Sequence, residues 1–268
     1  MKDLRISVIM ATYNAEKTVE KTIKSIITQT YKNIEFIIID GGSKDKTIEI
    51  IKKYHKYISY WVTEKDNGIY DALNKGIERA SGEYIYILGA DDFFCDNNII
   101  ENVVNNLDDS IDVLSGSVFL MQFNMKKLFN NYSKEIKNNL DEEDLINILL
   151  PPHQGLFVKS NIMKKYLFDI KYKLRADFKF ELIMLTSNFN IKFVNFPIAF
   201  YSVEGISNRK TIEMIEETIN ILKELKYISV DYNRKHKKEK LIKTCIKNFL
   251  INLKLWKYSL YLRGWKKC

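Results

Sequence analysis

The chain has 268 residues, 46% of them hydrophobic and 28% charged, enough apolar material for one large core with an appendage. That balance excludes a disordered chain, no run of about 18 uninterrupted apolar residues suggests a membrane span, and no secretory leader is expected. The net charge of +8 belongs to the end: residues 234–268 hold 12 Lys or Arg against one acid, Glu239, so the mildly acidic body does not suggest nucleic acid.

The first half alternates strand and helix. Strands are expected at Ile6 to Met10, Ile34 to Ile39, Ile58 to Val62 and Tyr84 to Leu88. Between them, Glu16 to Gln29, Lys46 to Tyr54 and Tyr70 to Ala80 carry helical spacing, and a further helix follows near Ile99 to Leu107. Strands that are apolar throughout and separated by helices predict a mostly parallel sheet covered on both faces. The second half is less regular. Strands are expected at Ile111 to Met121, Gly155 to Val158, Ile191 to Phe196 and Ile198 to Val203, with helices at Glu142 to Leu150, Asp177 to Ser187 and Thr211 to Tyr227. Cys95, Cys245 and Cys268 are odd in number and lack metal-ligand spacing, which fits free thiols and a cytoplasmic location.

In parallel α/β sheets, ligands bind at the carboxyl ends of the strands. Four polar loops converge there: Thr12-Tyr13-Asn14, Asp40-Gly41-Gly42-Ser43, Glu64 to Gly68, and Asp91-Asp92. The last pair, released from the apolar run Tyr84 to Leu88 with no basic residue beside it, is costly unless a cation shares it. An oxygen-ligated Mg2+ or Mn2+, completed by substrate phosphate, answers that need.

These motifs resemble those of the family 2 glycosyltransferases of the GT-A fold, a group that includes bacterial O-antigen and capsule polysaccharide transferases. The matching strings are Ser7 to Asn14, Ile39 to Thr47, Glu64 to Gly76 and Ala90-Asp91-Asp92; the similarity is dense over residues 5–93, thinner to about residue 203, and does not cover the tail. The resemblance implies a catalytic domain over residues 1–208, with a nucleotide-sugar-binding half at 1–110 and an acceptor-binding half at 111–208. Residues 209–268 form a helical extension.

By resemblance, Asp40 accepts from a uracil imide with Thr12, Tyr13 and Asn14 nearby, while Asp66, Gly68 and Asp71 line the diphosphate and donor-sugar pocket. Asp92 ligates the metal and Asp91 contacts the ribose or the metal shell. Asp177, in Leu174-Arg175-Ala176-Asp177-Phe178, takes the position of the catalytic base. His153 or Gln154, in Pro151-Pro152-His153-Gln154-Gly155, contacts the acceptor or the diphosphate. Structural alternatives stay open: Asp40 as the acceptor of an Asx turn, Asp66 as a partner of the helix dipole, and Asp177 as a helix N-terminal Asp paired with Arg175. Asp45 and Thr47 read as capping residues.

The tail reads as a basic amphipathic helix. Lys240, Lys243, Lys247, Lys254 and Lys257 fall on one stripe, and Ile242, Ile246, Phe249, Leu253, Trp256 and Leu260 on another. It suits either an anionic membrane surface or packing on the domain. The expected function is a metal-dependent inverting transfer of a sugar from a nucleoside-diphosphate donor, UDP above all. The acceptor is a saccharide linked to a polyprenyl diphosphate, at the inner face of the cell membrane, in surface polysaccharide biosynthesis. Two alternatives are a nucleotidyltransferase, which would want a Gly-rich basic phosphate loop that Ala11 to Lys17 is not, and a non-catalytic nucleotide-sugar-binding protein. A dinucleotide oxidoreductase is disfavoured because no G-x-G-x-x-G follows the first strand.

Overall fold

The computed structural model describes residues 3–122, 125–129, 152–202, 211–227 and 266–267. Strand β1 (Ile6–Thr12) is buried at every position. Successive side chains on a strand point to opposite faces, so Ile9 and Ala11 enter one apolar cluster and Val8 and Met10 the other. Strand β2 (Ile34–Asp40) divides in the same way, Ile37 and Ile39 to one face and Phe36 and Ile38 to the other. A sheet with two apolar faces has to be covered on both sides.

Helices α1 (Val19–Ile27), α2 (Thr47–Lys53) and α4 (Ile99–Asn106) cover one face, and α3 (Ile69–Arg79) belongs to the other. In α1, Val19, Thr22, Ile23 and Ile26 form the buried stripe. A Cβ on Gly76 of α3 would lie 2.5 Å from Ile9 Cγ2, so the missing side chain is what lets this helix press onto β1.

Strands β3 (Tyr60–Thr63) and β4 (Tyr84–Ile87) complete a parallel core in the order β4-β1-β2-β3. This is the expected parallel sheet. The second half extends it with antiparallel pairs. Strand β8 (Leu156–Lys159) runs antiparallel to β4, and β6 (Val113–Gln122) runs antiparallel to β8 and to β7 (Met125–Phe129). The two strands expected at Ile191 to Val203 are one, β9 (Ile191–Ser202), which lies parallel to β6 and antiparallel to the short β5 (Phe93–Phe94). Its register against β6 slips around Ser117, which faces Pro197. Proline has no amide proton for the ladder, and the irregularity absorbs it.

Helix α5 (Ser160–Lys165) was not foreseen. Helices α6 (Ala176–Thr186) and α7 (Thr211–Glu224) pack on the cluster around Ile9, with Phe178, Phe180, Leu182, Ile221 and Leu222 buried there. A two-residue strand β10 (Lys266–Lys267) pairs with β7. The helix expected at Glu142 to Leu150 and the amphipathic stripe of the tail lie outside the described residues. Among the described residues, no helix is long and apolar enough to cross a membrane.

Candidate active site

The ends of β1, β2 and β3 are knitted together by Asp40. Its carboxylate accepts from Thr12 Oγ1 at 2.8 Å, Thr63 Oγ1 at 2.7 Å, Ser43 Oγ at 2.5 Å, Ser43 N at 2.9 Å and Gly42 N at 3.0 Å. Burial works against the charge, but the Ser43, Thr63 and Thr12 hydrogen bonds outweigh it and hold Asp40 below the ordinary aspartate range. A carboxylate offers about four lone-pair sites. Five donors from its own chain and no exposed surface leave Asp40 no free acceptor for a uracil imide, which corrects that expectation. The Asx-turn alternative describes what it does.

Asn14 also serves the scaffold. It adopts a left-handed backbone with φ +49, tolerated by asparagine, and its N–H donates to Ser43 Oγ at 2.8 Å while its Oδ1 accepts from Lys44 N at 2.9 Å. Tyr13, beside it, is 60% exposed at the rim and free to meet a planar ligand. Asp45 accepts from Thr47 N and Oγ1 and from Glu16 N, just ahead of the N-cap of α2 at Lys46.

Asp66 lies against Gly41, where any Cβ would collide with its carboxylate, and accepts from Gly68 N at 2.9 Å. Gly68 starts α3 at φ +116, a conformation that glycine alone adopts readily, and nothing lies within 4 Å of where its side chain would be. Asp71 Oδ2 accepts from Asn67 N at 2.9 Å, which ties the loop before α3 to the first turn of the helix. Lys75 is paired with Glu64 at 2.7 Å.

The acidic pair divides sharply. Asp92 is 1% exposed and held at both oxygens: Oδ1 accepts from Ser202 N at 2.8 Å, and Oδ2 from Gln154 Nε2 at 2.8 Å and Gly89 N at 3.2 Å. Thr22 Oγ1 of α1 holds the Asp92 carbonyl at 2.6 Å. Burial and the neighbouring Asp91 charge raise Asp92 to about 7, and burial raises Asp91 as well. Among the described residues neither forms an ion pair with Lys or Arg, so their combined charge fits a divalent cation. Asp91 is the half-buried member. Three donors leave one of the roughly four lone-pair sites on Asp92 unclaimed, so both members of the pair stay candidate metal ligands.

Asp177 opens α6. Tyr70 Oη of α3 donates to its Oδ1 at 2.9 Å, and Phe178 N donates to the same oxygen at 2.8 Å. His153 Nδ1 stands 3.7 Å from Oδ2. Burial opposes the charge, but His153, Arg175 and Tyr70 outweigh it and keep Asp177 below the usual aspartate range. The other oxygen, Oδ2, lies 3.7 Å from His153 Nδ1, and the side chain stays about a quarter exposed. Glu181, one turn further on, is pushed well above the carboxylate range by burial and by the Asp177 charge. His153, Asp177 and Glu181 bring ligand atoms within 4.8 Å of one another. The Arg175 guanidinium supplies positive charge to both carboxyl groups.

One short turn joins these two acidic centres. In the 3-10 helix His153–Gly155, His153 faces Asp177 while Gln154 donates to Asp92, and the Gln154 carbonyl is fixed by Tyr86 Oη at 2.7 Å. Gln154 is 3% exposed and donates its amide to Asp92, while its Oε1 is buried with no hydrogen-bond partner among the described residues. Tyr201, Ser202 and Glu181 were not foreseen as site residues, and Tyr70, in the segment expected to line the donor pocket, holds Asp177. Only Glu181 carried a local signal, its spacing of four from Asp177 on a helix.

The sequence model of glycosyl transferase family 2 matches residues 7–170. The chain belongs to that family. An uncharacterised glycosyltransferase of Methanocaldococcus jannaschii is 30% identical over 269 residues, covering 96% of this chain and 85% of the relative. One from Rickettsia typhi is 34% identical over 197 residues, spanning 68% of this chain and 59% of the relative. Among solved structures, Staphylococcus aureus TarS 1-349 in complex with UDP-GlcNAc has a TM-score of 0.65 at 19% identity, covering 92% of this chain and 73% of that one. Glucosyl-3-phosphoglycerate synthase from Mycobacterium tuberculosis, in complex with Mn2+, UDP and phosphoglyceric acid, has a TM-score of 0.57 at 15% identity, covering 82% and 77%. The family 2 glycosyltransferase thus has the GT-A fold, and membership makes it a glycosyltransferase enzyme. That displaces the nucleotidyltransferase alternative.

Proposed function

We propose that this enzyme transfers a sugar from a nucleoside diphosphate, UDP above all, to a saccharide hydroxyl with inversion at the anomeric carbon. The observation that carries the reading is the His153-Gln154 turn, whose adjacent side chains reach Asp177 on one side and Asp92 on the other. It couples a base to an acidic pair that would hold the cation of the diphosphate.

The acceptor oxygen attacks the anomeric carbon as the carbon–oxygen bond to the diphosphate breaks, and the hydroxyl proton passes to Asp177 Oδ2. Tyr70 and Phe178 N hold Oδ1, which leaves the second oxygen for the proton. An α-linked donor would give a β-linked product. Tyr13 would stack on the nucleobase, while Asp40, Asn14 and Asp71 keep the loops around it in shape. Asp66 and Gly68 border the donor pocket where α3 begins. Asp91, seconded by Asp92, would hold Mn2+ or Mg2+, which when bound neutralises charge on the diphosphate leaving group.

The base assignment is checked with Asp177→Asn. Transfer should fall by roughly 10²- to 10⁴-fold, with donor affinity retained in a thermal-shift titration of nucleotide sugars with Mn2+. Near-wild-type transfer would remove Asp177 from the mechanism.

For the acceptor, we infer a lipid-linked saccharide of a surface polysaccharide pathway, met at the cytoplasmic leaflet with help from the basic residues 234–268. Deleting residues 234–268 should lower activity on a lipid-linked acceptor in membranes more than on a soluble analogue. Equal losses on both would count against a membrane role.

A further inference from the structure

Glu181 has no task in the reaction as described. It stands one turn after Asp177 on α6, so both carboxyl groups share one helix face. Both also approach the same ring nitrogen, His153 Nδ1, at 3.7 Å from Asp177 Oδ2 and 3.9 Å from Glu181 Oε1. The backbone N–H of His153 is directed at Glu181 as well, so the carboxyl group holds the turn and its ring together. Beside it, Val113, Leu156, Met184, Leu185 and Ile191, with Ser115 as the polar member, line a pocket no larger than a single water.

Burying a carboxyl group 95% of the way among such residues is costly, and a Leu or Met would fill the same space without that cost. The groups facing Glu181 are Asp177 and Arg175 near the start of α6, His153 from the 3-10 turn and Tyr201 from β9; Tyr70 of α3 reaches it only through Asp177. Next to an ionised Asp177, Glu181 keeps its proton and adds no second charge to the cleft.

We propose that Glu181 is a positioning residue for the base: its carboxyl group fixes the His153 turn, and through the imidazole it sets the orientation of Asp177. The inference rests on the reading of Asp177 as the base. Ionisation of Glu181 at high pH would place two negative charges one helical turn apart and disturb the ring between them. Glutamine reproduces the neutral carboxyl group in shape and cannot ionise; leucine keeps the volume and discards the contact.

The test compares Glu181→Gln and Glu181→Leu in the full chain, measuring melting temperature, and kcat and KM for transfer between about pH 6 and pH 9.5. Gln should keep kcat at neutral pH within about twofold, and any alkaline fall in the wild-type rate that comes from ionisation of Glu181 should be absent from it. Leu should keep or raise the melting temperature and leave the donor KM unchanged, while kcat falls roughly tenfold, the scale expected when a base is misaimed. Wild-type kcat in the Leu variant, or an alkaline limb unchanged in the Gln variant, overturns the proposal. If the Leu variant does not fold, the Gln pH profile decides alone. The two readings fail separately: an active Asp177→Asn removes the base, whereas an inactive Asp177→Asn with a fully active Glu181→Leu removes only the role of Glu181.

Discussion

The two halves of the rim handle their carboxylates in opposite ways. On the donor side, Asp40, Asp45 and Asp71 are spent on the protein itself, each accepting from backbone N–H groups or hydroxyls of the loops they join. On the side of the acidic pair and α6, Asp91, Asp92 and Glu181 are raised and Asp177 is the ionised member held by Tyr70 and His153. The first region uses charge to build a fixed frame. The second gathers carboxyl groups shifted in opposite directions where a cation, a diphosphate and a proton would meet, a pattern that belongs to functional sites.

The sharpest way to break this comparison is inside the acidic pair. Asp91→Asn should cost roughly 10³-fold in metal-supported transfer, several kcal/mol of transition-state stabilisation, with little change in melting temperature. Asp92→Asn should act through the fold, because its amide nitrogen would confront the Gln154, Gly89 or Ser202 donors. A loss of about 2 kcal/mol, roughly 4–8 °C, is the expected scale. If Asp92→Asn instead abolished the Mn2+ response at an unchanged melting temperature, the metal would belong to Asp92 after all.

Asp40 tests the frame. Asp40→Asn should cost about 2 kcal/mol by setting an amide against five donors. The folded carboxyl lies below its ordinary value, so Asp40 contributes stability above about pH 3.9, and that contribution is lost as pH falls through the depressed folded value. Acid unfolding of Asp40→Asn, followed by circular dichroism, should therefore be less pH-dependent below about pH 4 than that of the wild type. A steeper dependence would show that Asp40 is not held ionised by its loop.

Two smaller effects separate frame from chemistry. Tyr70→Phe removes one donor to Asp177 Oδ1 and should lower kcat roughly tenfold, about 1.4 kcal/mol, with donor affinity intact. Tyr13→Ala should leave stability unchanged and weaken donor binding by severalfold, about 1 kcal/mol for a lost stacking contact. A drop in melting temperature with no change in donor affinity would make Tyr13 part of the frame.

Much of the fold was legible because its cause is local. Ile6 to Met10 and Ile34 to Ile39 read as buried strands since runs apolar on both faces have few other homes, and both are strands, extended to Thr12 and Asp40. Strand β9 was misread as two because Pro197 normally ends a strand, whereas here a register slip at Ser117 accommodates it. Strand β5 and helix α5 are two and six residues long, too short to show a period.

The sequence by itself determined the family, the parallel core, the rim on which four loops meet, and the aspartates that populate it. Which carboxylate is free and which is spent was decided only by tertiary structure, because lone pairs are claimed by donors far away in the chain. Asp92 is taken by Gln154 at a separation of 62 residues and by Ser202 at 110, and Asp177 is held by Tyr70 at 107. No local pattern encodes such pairings. They follow from the sheet order that brings the ends of β1, β4 and β9, the His153 turn and the starts of α3 and α6 to one place.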